Sequence, residues 1–148
     1  MYKRQLIVLV FDITKGSLAV IVSSMMGVEG TLILLPACAA IFGHWNSIFT
    51  RFRGGDGMAI AGGIAIGLFG GIGFFALFVA GIASMLAQKL WLTSLTSIIF
   101  GYLAILFLTH LLDKDKDIAV GFTAVVLLIL AHAMRGHARR RRIARQSE

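Results

Sequence analysis

Residues 57–87 read GMAIAGGIAIGLFGGIGFFALFVAGIASMLA and contain no charged side chain. As a single helix this stretch would be about 46 Å long, which is too long for one crossing of a bilayer with a hydrocarbon core of about 30 Å. Gly70, Gly71 and Gly73 offer a break in its middle. Whether the stretch forms one span or two therefore decides the number of membrane-spanning helices.

The rest of the chain is similarly apolar. Of its 148 residues 58% are hydrophobic and 14% are charged, far from the composition of a soluble domain. Apolar segments occupy residues 6–26, 31–49, 58–71, 74–87, 92–112 and 118–134, and the connectors are short. The sequence predicts an all-α, polytopic membrane helical bundle with about six transmembrane helices, forming one domain over residues 1–148.

The distribution of basic residues favours two spans in residues 57–87. With six spans, one side of the membrane holds a basic tail at residues 135–148 together with Lys3, Arg4, Arg51, Arg53 and Lys89. The other side holds only Lys114 and Lys116, which stand among aspartates. Cytoplasmic loops carry the excess of lysine and arginine, so both termini are predicted to be cytoplasmic. Five spans would place the arginine tail outside.

Composition also excludes several classes of function. The net charge is +7, but the basic tail has no aromatic residues for base stacking, so nucleic acid is not an expected partner. Cys38 is the only cysteine, which excludes a disulfide within the chain. The four histidines show no metal-ligand spacing, and we predict neither a metal nor a cofactor. The N-terminus is not read as a signal peptide, because Asp12 and Lys15 interrupt its apolar run.

Two further patterns concern helix packing. Gly63, Gly67 and Gly71 recur every four residues and predict a smooth groove where a neighbouring backbone approaches closely. Asp12 and Lys15 are one helical turn apart in the first span. Ionisable groups in lipid are costly, so these two form either a structural pair or one wall of a polar site.

Residues 43–59, GHWNSIFTRFRGGDGMA, carry the clearest pattern for a site. A span ends in His44, arginines follow, and glycines lead into the next helix. Glycines let backbone N–H groups approach an anion, a helix N-terminus adds partial positive charge, and arginines bind phosphate with two hydrogen bonds. The pattern suits a phosphate ester at the cytoplasmic face, bound by Arg51, Arg53, Gly54, Gly55 and Gly57. The alternative is a flexible turn whose arginines only set topology.

The chain resembles the bacterial membrane acyl-phosphate:glycerol-3-phosphate acyltransferases. Residues 11–20, FDITKGSLAV, look like the Asp-x-x-Lys-Gly helix of that family, and residues 43–59 look like its glycine-rich second motif. Lys89 followed by Leu95, Thr96 and Ser97 is a weaker match. The resemblance implies a seven-helix fold in the bacterial inner membrane, with membrane lipids around it. It also implies transfer of an acyl group from acyl phosphate to glycerol 3-phosphate, giving lysophosphatidic acid for phospholipid synthesis.

The resemblance also bears on catalytic residues and on completeness. His44 or His137 would remove the proton of the attacking hydroxyl, without any cofactor. The family's first motif precedes its Asp-x-x-Lys helix, and this chain begins just after that point, so an upstream segment or a partner would supply it. Asp56 stands where the family has lysine, and Ser47 where it has proline.

Two other functions stay open from the sequence. A truncated or degenerate, non-catalytic homologue is suggested by Asp56 and by the first motif that this sequence lacks. A small membrane transporter subunit would use Asp12 and Lys15 as intramembrane charges.

Overall fold

The computed structural model describes residues 2–46, 57–87, 93–114 and 116–146, with only the backbone described for residues 2–5 and 137–146. Within these ranges the chain forms α-helices and one short 3₁₀ turn, and no strand. The helices are α1 (Tyr2–Met25), α2 (Leu34–Trp45), α3 (Met58–Phe69), α4 (Gly71–Leu86), α5 (Thr93–Leu111) and α6 (Lys116–Gln146), and the 3₁₀ turn Gly30–Ile33 leads into α2. The predicted all-α membrane helical bundle is confirmed.

The helices differ in length. Three segments are long and apolar enough to cross a membrane, namely Leu6–Met25, Thr93–Leu111 and Lys116–Gly136, whereas Gly30–Trp45, Met58–Phe69 and Gly71–Leu86 are shorter apolar helices. Large apolar side chains such as Leu6, Phe74 and Phe107 face outward. In water such a surface would be very unfavourable, and in lipid it is the expected one.

The apolar stretch at residues 57–87 is broken at Gly70, as two spans require. Gly70 has φ 56°, a conformation that favours glycine, and it separates α3 from α4. Gly73 then packs against the backbone of Ala65, and Gly62 against the side chain of Leu77. These pairs converge on Gly70, so α3 and α4 form an antiparallel hairpin.

Helix α1 packs closely along α3, and the two run in the same direction. A Cβ atom on Gly16 would lie 2.3 Å from the Ile60 carbonyl oxygen, and one on Gly63 would lie 2.0 Å from the Ile13 carbonyl oxygen. The Ser17 hydroxyl donates a hydrogen bond of 2.9 Å to the carbonyl oxygen of Gly63. Only glycine permits two backbones to approach in this way.

The predicted glycine groove is therefore confirmed in part. Gly63 and Gly67 face α1, where a Cβ on Gly67 would meet the side chain of Val20 at 2.8 Å. The prediction was wrong for Gly71, whose Cβ position is open, because the chain turns at Gly70 and Gly71 begins the next helix.

The remaining contacts place several helix ends together. Helices α2 and α6 run parallel, since Leu34 packs near Gly121 and Trp45 stacks on His132. The end of α2, the start of α3 and the His132 turn of α6 therefore lie at one end of the bundle, which we call the site end. Residues 135–146, predicted as a tail, continue α6 beyond that end as helix.

The opposite end carries the short connection between α5 and α6. Asp113 has φ 50° there, and the Lys114 N–H donates a hydrogen bond of 3.0 Å to the Thr109 carbonyl oxygen, which closes α5. A hydrogen bond from Lys116, followed by its charge, lowers the pKa of the exposed Asp113 carboxyl. His110 lies in the last turn of α5, far from the site end.

Candidate functional site

The last turn of α2 presents two adjacent side chains to different neighbours. The helix ends at Trp45, and the Asn46 N–H donates a hydrogen bond of 3.0 Å to the Phe42 carbonyl oxygen. Adjacent residues in a helix point about 100° apart. His44 accordingly contacts α1, whereas Trp45 contacts α6 and the start of α3.

Asp12 connects His44 to the first span. Its Oδ1 lies 3.5 Å from Nδ1 of His44 and 3.7 Å from Nζ of Lys15. The side chains of Asp12 and His44 are 12% and 14% exposed, whereas that of Lys15 is 64% exposed. The carboxylate favours a proton on Nδ1, which leaves Nε2 of His44 as a proton acceptor. The predicted Asp12 and Lys15 pair thus has a third member, and that member is a candidate base.

Trp45 is the other buried group at this end. The residue is 9% exposed, and its ring stacks on His132 with centroids 4.0 Å apart and planes 9° from parallel. Phe42 meets the indole edge-on at 5.6 Å. The Trp45 Nε1 atom is buried and has no hydrogen-bond partner among the residues that the structure describes. The ring is fixed from two sides while its only polar atom is unsatisfied.

Helix α3 starts beside that indole. Gly57, with φ 83°, is its N-cap, and no side chain in the described part of the chain caps the helix. The first hydrogen bond of the helix runs from the Ala61 N–H to the Gly57 carbonyl oxygen at 3.0 Å. The preceding N–H groups have no partner within the helix, and the helix dipole adds partial positive charge there. A negatively charged group would be stabilised at this position.

An apolar cavity of about 600 Å³ lies within the bundle. Met58 and Ala59, at the start of α3, line it, and its other walls come from α1, α4, α5 and α6. Few polar side chains line it. Among them are Ser97, whose buried hydroxyl has no hydrogen-bond partner within the described ranges, and Tyr102, which hydrogen bonds to Thr123. Such a space suits an extended hydrocarbon chain.

The structure brings together only some of the residues predicted from the sequence. His44, Asp12, Lys15 and Gly57 lie at or near the site end. The predicted phosphate ligands Arg51, Arg53, Gly54 and Gly55 lie outside the described residues, and so does the side chain of His137. In the described part of the chain, no group of three or more His, Cys, Asp or Glu side chains is placed to hold a metal ion.

The sequence analysis assigns no role to Trp45, which lies within residues 43–59, or to His132. Their 87-residue separation gives no local signal of a stacked pair. The sequence indicates this site only through the position of Trp45 next to His44 at the end of a predicted span.

Comparison with known proteins agrees with the motifs. A family model described as glycerol-3-phosphate acyltransferase matches residues 2–143. A protein of that name from Nitrosomonas eutropha is 31% identical over 130 residues, which is 85% of this chain and 64% of the relative. One from Hydrogenovibrio crunogenus is 36% identical over 128 residues, covering 86% of this chain and 59% of the relative.

A third relative of the same name, from Lactococcus lactis subsp. lactis, is 30% identical over 142 residues and is covered over 63% of its length. The chain therefore spans about three-fifths of the length of these curated relatives. No solved structure matches the chain. The family match extends from α1 to the basic part of α6, so this chain belongs to the glycerol-3-phosphate acyltransferase family.

Proposed function

We propose that this chain transfers an acyl group from acyl phosphate to glycerol 3-phosphate and releases inorganic phosphate and lysophosphatidic acid. One observation carries the proposal, namely an apolar cavity whose lining includes neighbours of the polar groups at the site end. Ile13, Met58 and Ile129 line the cavity. They stand next to Asp12, next to Gly57 and one turn from His132, respectively. A long-chain acyl donor needs an apolar space with polar groups close by.

The acyl chain would occupy the cavity between α1, α3, α4, α5 and α6. Its binding would rest on van der Waals packing, because lipid tails are as apolar as the cavity wall and no apolar surface is taken from water. Because the lining is almost entirely hydrocarbon, the reactive carboxyl phosphate would stay outside it, near Met58 at the site end. The donor is thereby oriented with its head toward the site end.

Phosphate groups would be bound at the start of α3. Gly57 allows an anion to approach the free N–H groups of the first turn. Arg51, Arg53, Gly54 and Gly55 remain predicted ligands from the preceding segment. Together they would neutralise the charge of glycerol 3-phosphate or of the leaving phosphate.

The chemical step needs little from the protein, because acyl phosphate is already activated. The primary hydroxyl of glycerol 3-phosphate attacks the carbonyl carbon, and the bond from that carbon to the bridging phosphate oxygen breaks. His44 would accept the hydroxyl proton on Nε2 while Asp12 holds Nδ1. Positioning of the substrates and stabilisation of charge supply the rest of the catalysis. His137 stays the second predicted proton acceptor.

The solubility of the substrates indicates which side of the membrane the site end faces. Glycerol 3-phosphate is water-soluble, and the basic continuation of α6 extends from the site end. We infer that the site end faces the cytoplasm at a bacterial inner membrane, with both termini on that side. Nothing in the described residues favours a transporter, since the Lys15 ammonium lies 3.7 Å from the Asp12 carboxylate and offsets its charge.

The proposal is tested by incubating the purified chain with palmitoyl phosphate and radiolabelled glycerol 3-phosphate. Labelled lysophosphatidic acid is the expected product. His44→Gln should reduce its rate of formation by about 10²- to 10⁴-fold, the usual contribution of a general base. His110→Gln, the same change at the opposite end of the bundle, should leave the rate unchanged.

Absence of labelled product from the wild-type chain would contradict the proposed function and favour a non-catalytic homologue. A His44→Gln variant as fast as the wild type would remove His44 from the mechanism.

The cavity predicts acyl-chain preference. Gly81 lines it, and a Cβ atom there would meet nothing within 4 Å, so Gly81→Leu can project into the space without displacing a neighbour. We expect kcat/KM for palmitoyl phosphate to fall about 10-fold or more relative to decanoyl phosphate, because a filled pocket rejects extra methylenes. The control is Phe75→Leu, which alters an exposed residue of α4 that does not line the cavity. An unchanged ratio in Gly81→Leu would place the acyl chain elsewhere.

A further inference from the structure

We propose that the indole N–H of Trp45 donates a hydrogen bond to a phosphate group bound at the N-terminus of α3. Trp45 would then be a binding residue for the phosphate group of a substrate rather than only a packing residue. The identity of that substrate rests on the proposed function, whereas the phosphate site itself rests on the geometry below.

The unsatisfied indole donor of Trp45 carries a cost in free energy. Trp45 is 9% exposed, and its Nε1 is buried without a hydrogen-bond partner. Buried polar groups in folded proteins are nearly always hydrogen-bonded, because an unsatisfied one forfeits its hydration. Within the part of the chain that the structure describes, only Ser97 shares this state among side chains. A ligand with an acceptor oxygen would remove the penalty.

The position of the indole nitrogen relative to α3 follows from its distance to Gly57. A Cβ atom built on Gly57 would lie 3.0 Å from Trp45 Nε1, but 3.7 Å from Cε2 and 3.9 Å from Cζ2. The nitrogen is therefore the indole atom nearest to the start of α3. Because residue 57 is glycine, it places no side chain of its own between the indole edge and the helix start.

The start of α3, which lies beside the indole nitrogen, is suited to an anion. Helix α3 has 12 residues, no side-chain cap and no acidic residue in its first turn. Its free N–H groups and the positive end of its dipole favour an anion with several acceptor oxygens. The indole N–H would add a donor from a second direction. A phosphate group matches this set of donors.

Two aromatic neighbours hold the indole ring of Trp45 in place. His132 stacks on one face at 4.0 Å, and Phe42 meets it edge-on at 5.6 Å. These contacts fix the ring plane before any ligand binds, so little side-chain entropy is lost on binding. Preorganisation of this kind makes a single neutral donor effective.

The test is nuclear magnetic resonance of the chain labelled with [¹⁵N]tryptophan in detergent micelles. The chain has two tryptophans, so two indole signals are expected, and Trp91→Phe assigns the one from Trp45. Glycerol 3-phosphate and a non-hydrolysable acyl phosphonate are titrated separately. We expect the Trp45 N–H proton to move downfield and saturate, and the compound that produces this shift identifies which substrate phosphate the indole contacts.

The matched variant is Trp45→Phe, which keeps an aromatic ring against His132 but removes the N–H. Its affinity for the same compound should fall about 10- to 100-fold, as for loss of a hydrogen bond to a charged group. The control is Phe75→Leu, which alters an exposed aromatic residue of α4 that does not contact the indole, and it should bind as the wild type does.

The inference is overturned if neither compound moves the Trp45 signal, or if Trp45→Phe binds as tightly as the wild type. Should Trp45→Phe fail to fold, the wild-type titration alone decides. If the Trp45 signal shifts and saturates but the chain transfers no acyl group, the phosphate site is upheld and the proposed function fails. If the chain transfers the acyl group but the Trp45 N–H signal does not shift, only the role of Trp45 is overturned.

Discussion

Gly63→Ala is expected to destabilise the bundle by at least about 3 kcal/mol, the upper range for overpacking a core. The new methyl group would lie 2.0 Å from the Ile13 carbonyl oxygen and 2.8 Å from its carbonyl carbon. Both atoms belong to the backbone, so no side-chain rotation can relieve the overlap. Helices α1 and α3 must separate, and the Ser17 hydrogen bond to Gly63 is lost with them. Unfolding by denaturing detergent, followed by circular dichroism, measures the loss.

The matched control for this substitution is Gly81→Ala. Gly81 also lies inside a helix, but a Cβ there meets no atom within 4 Å. The control should be as stable as the wild type or gain about 0.5 kcal/mol, because alanine restricts the unfolded chain more than glycine does. Equal stability of Gly63→Ala and Gly81→Ala would show that α1 and α3 do not pack as described.

Asp12→Asn is expected to lower kcat by about 10²- to 10³-fold while KM for glycerol 3-phosphate stays nearly constant. An asparagine side chain can donate a hydrogen bond to His44 Nδ1, which would shift the imidazole proton to Nε2. The reacting nitrogen could then no longer accept a proton. Initial rates of lysophosphatidic acid formation over a range of both substrates measure the effect.

Several controls separate this positioning role from a structural one. Glu29→Gln makes the same acid-to-amide change in the turn before α2, away from the site end, and should leave kcat unchanged. Asp12→Glu keeps a carboxylate and should restore part of the rate. If Asp12→Asn folds normally and turns over at the wild-type rate, then Asp12 does not position His44.

The sequence was sufficient to predict the helical bundle, because its signals are local. Apolar segments of fixed length, and a cluster of glycines near Gly70, predict helices and a turn without any tertiary information. The groove prediction failed only at Gly71, since the four-residue spacing continues past the turn although the helix does not.

The site was less accessible from the sequence because it depends on contacts between distant segments. The pairing of Asp12 with Lys15 is local and was predicted, but the contact of Asp12 with His44 joins α1 to the end of α2. The stacking of Trp45 on His132 and the approach of its nitrogen to Gly57 arise where the end of α2, the start of α3 and an interior turn of α6 meet. Such juxtapositions have no signature in spacing. The family motif nevertheless marked the segment where they occur.

Acyl transfer by attack at the carbonyl carbon is the central claim, and an isotope label tests it most directly. Palmitoyl phosphate is prepared with ¹⁸O in the oxygen that bridges carbon and phosphorus, and the reaction with glycerol 3-phosphate is followed by ³¹P nuclear magnetic resonance. We predict that the released inorganic phosphate carries the label and that the phosphate of lysophosphatidic acid does not. Unlabelled inorganic phosphate, or phosphate release that does not require glycerol 3-phosphate, would contradict the claim.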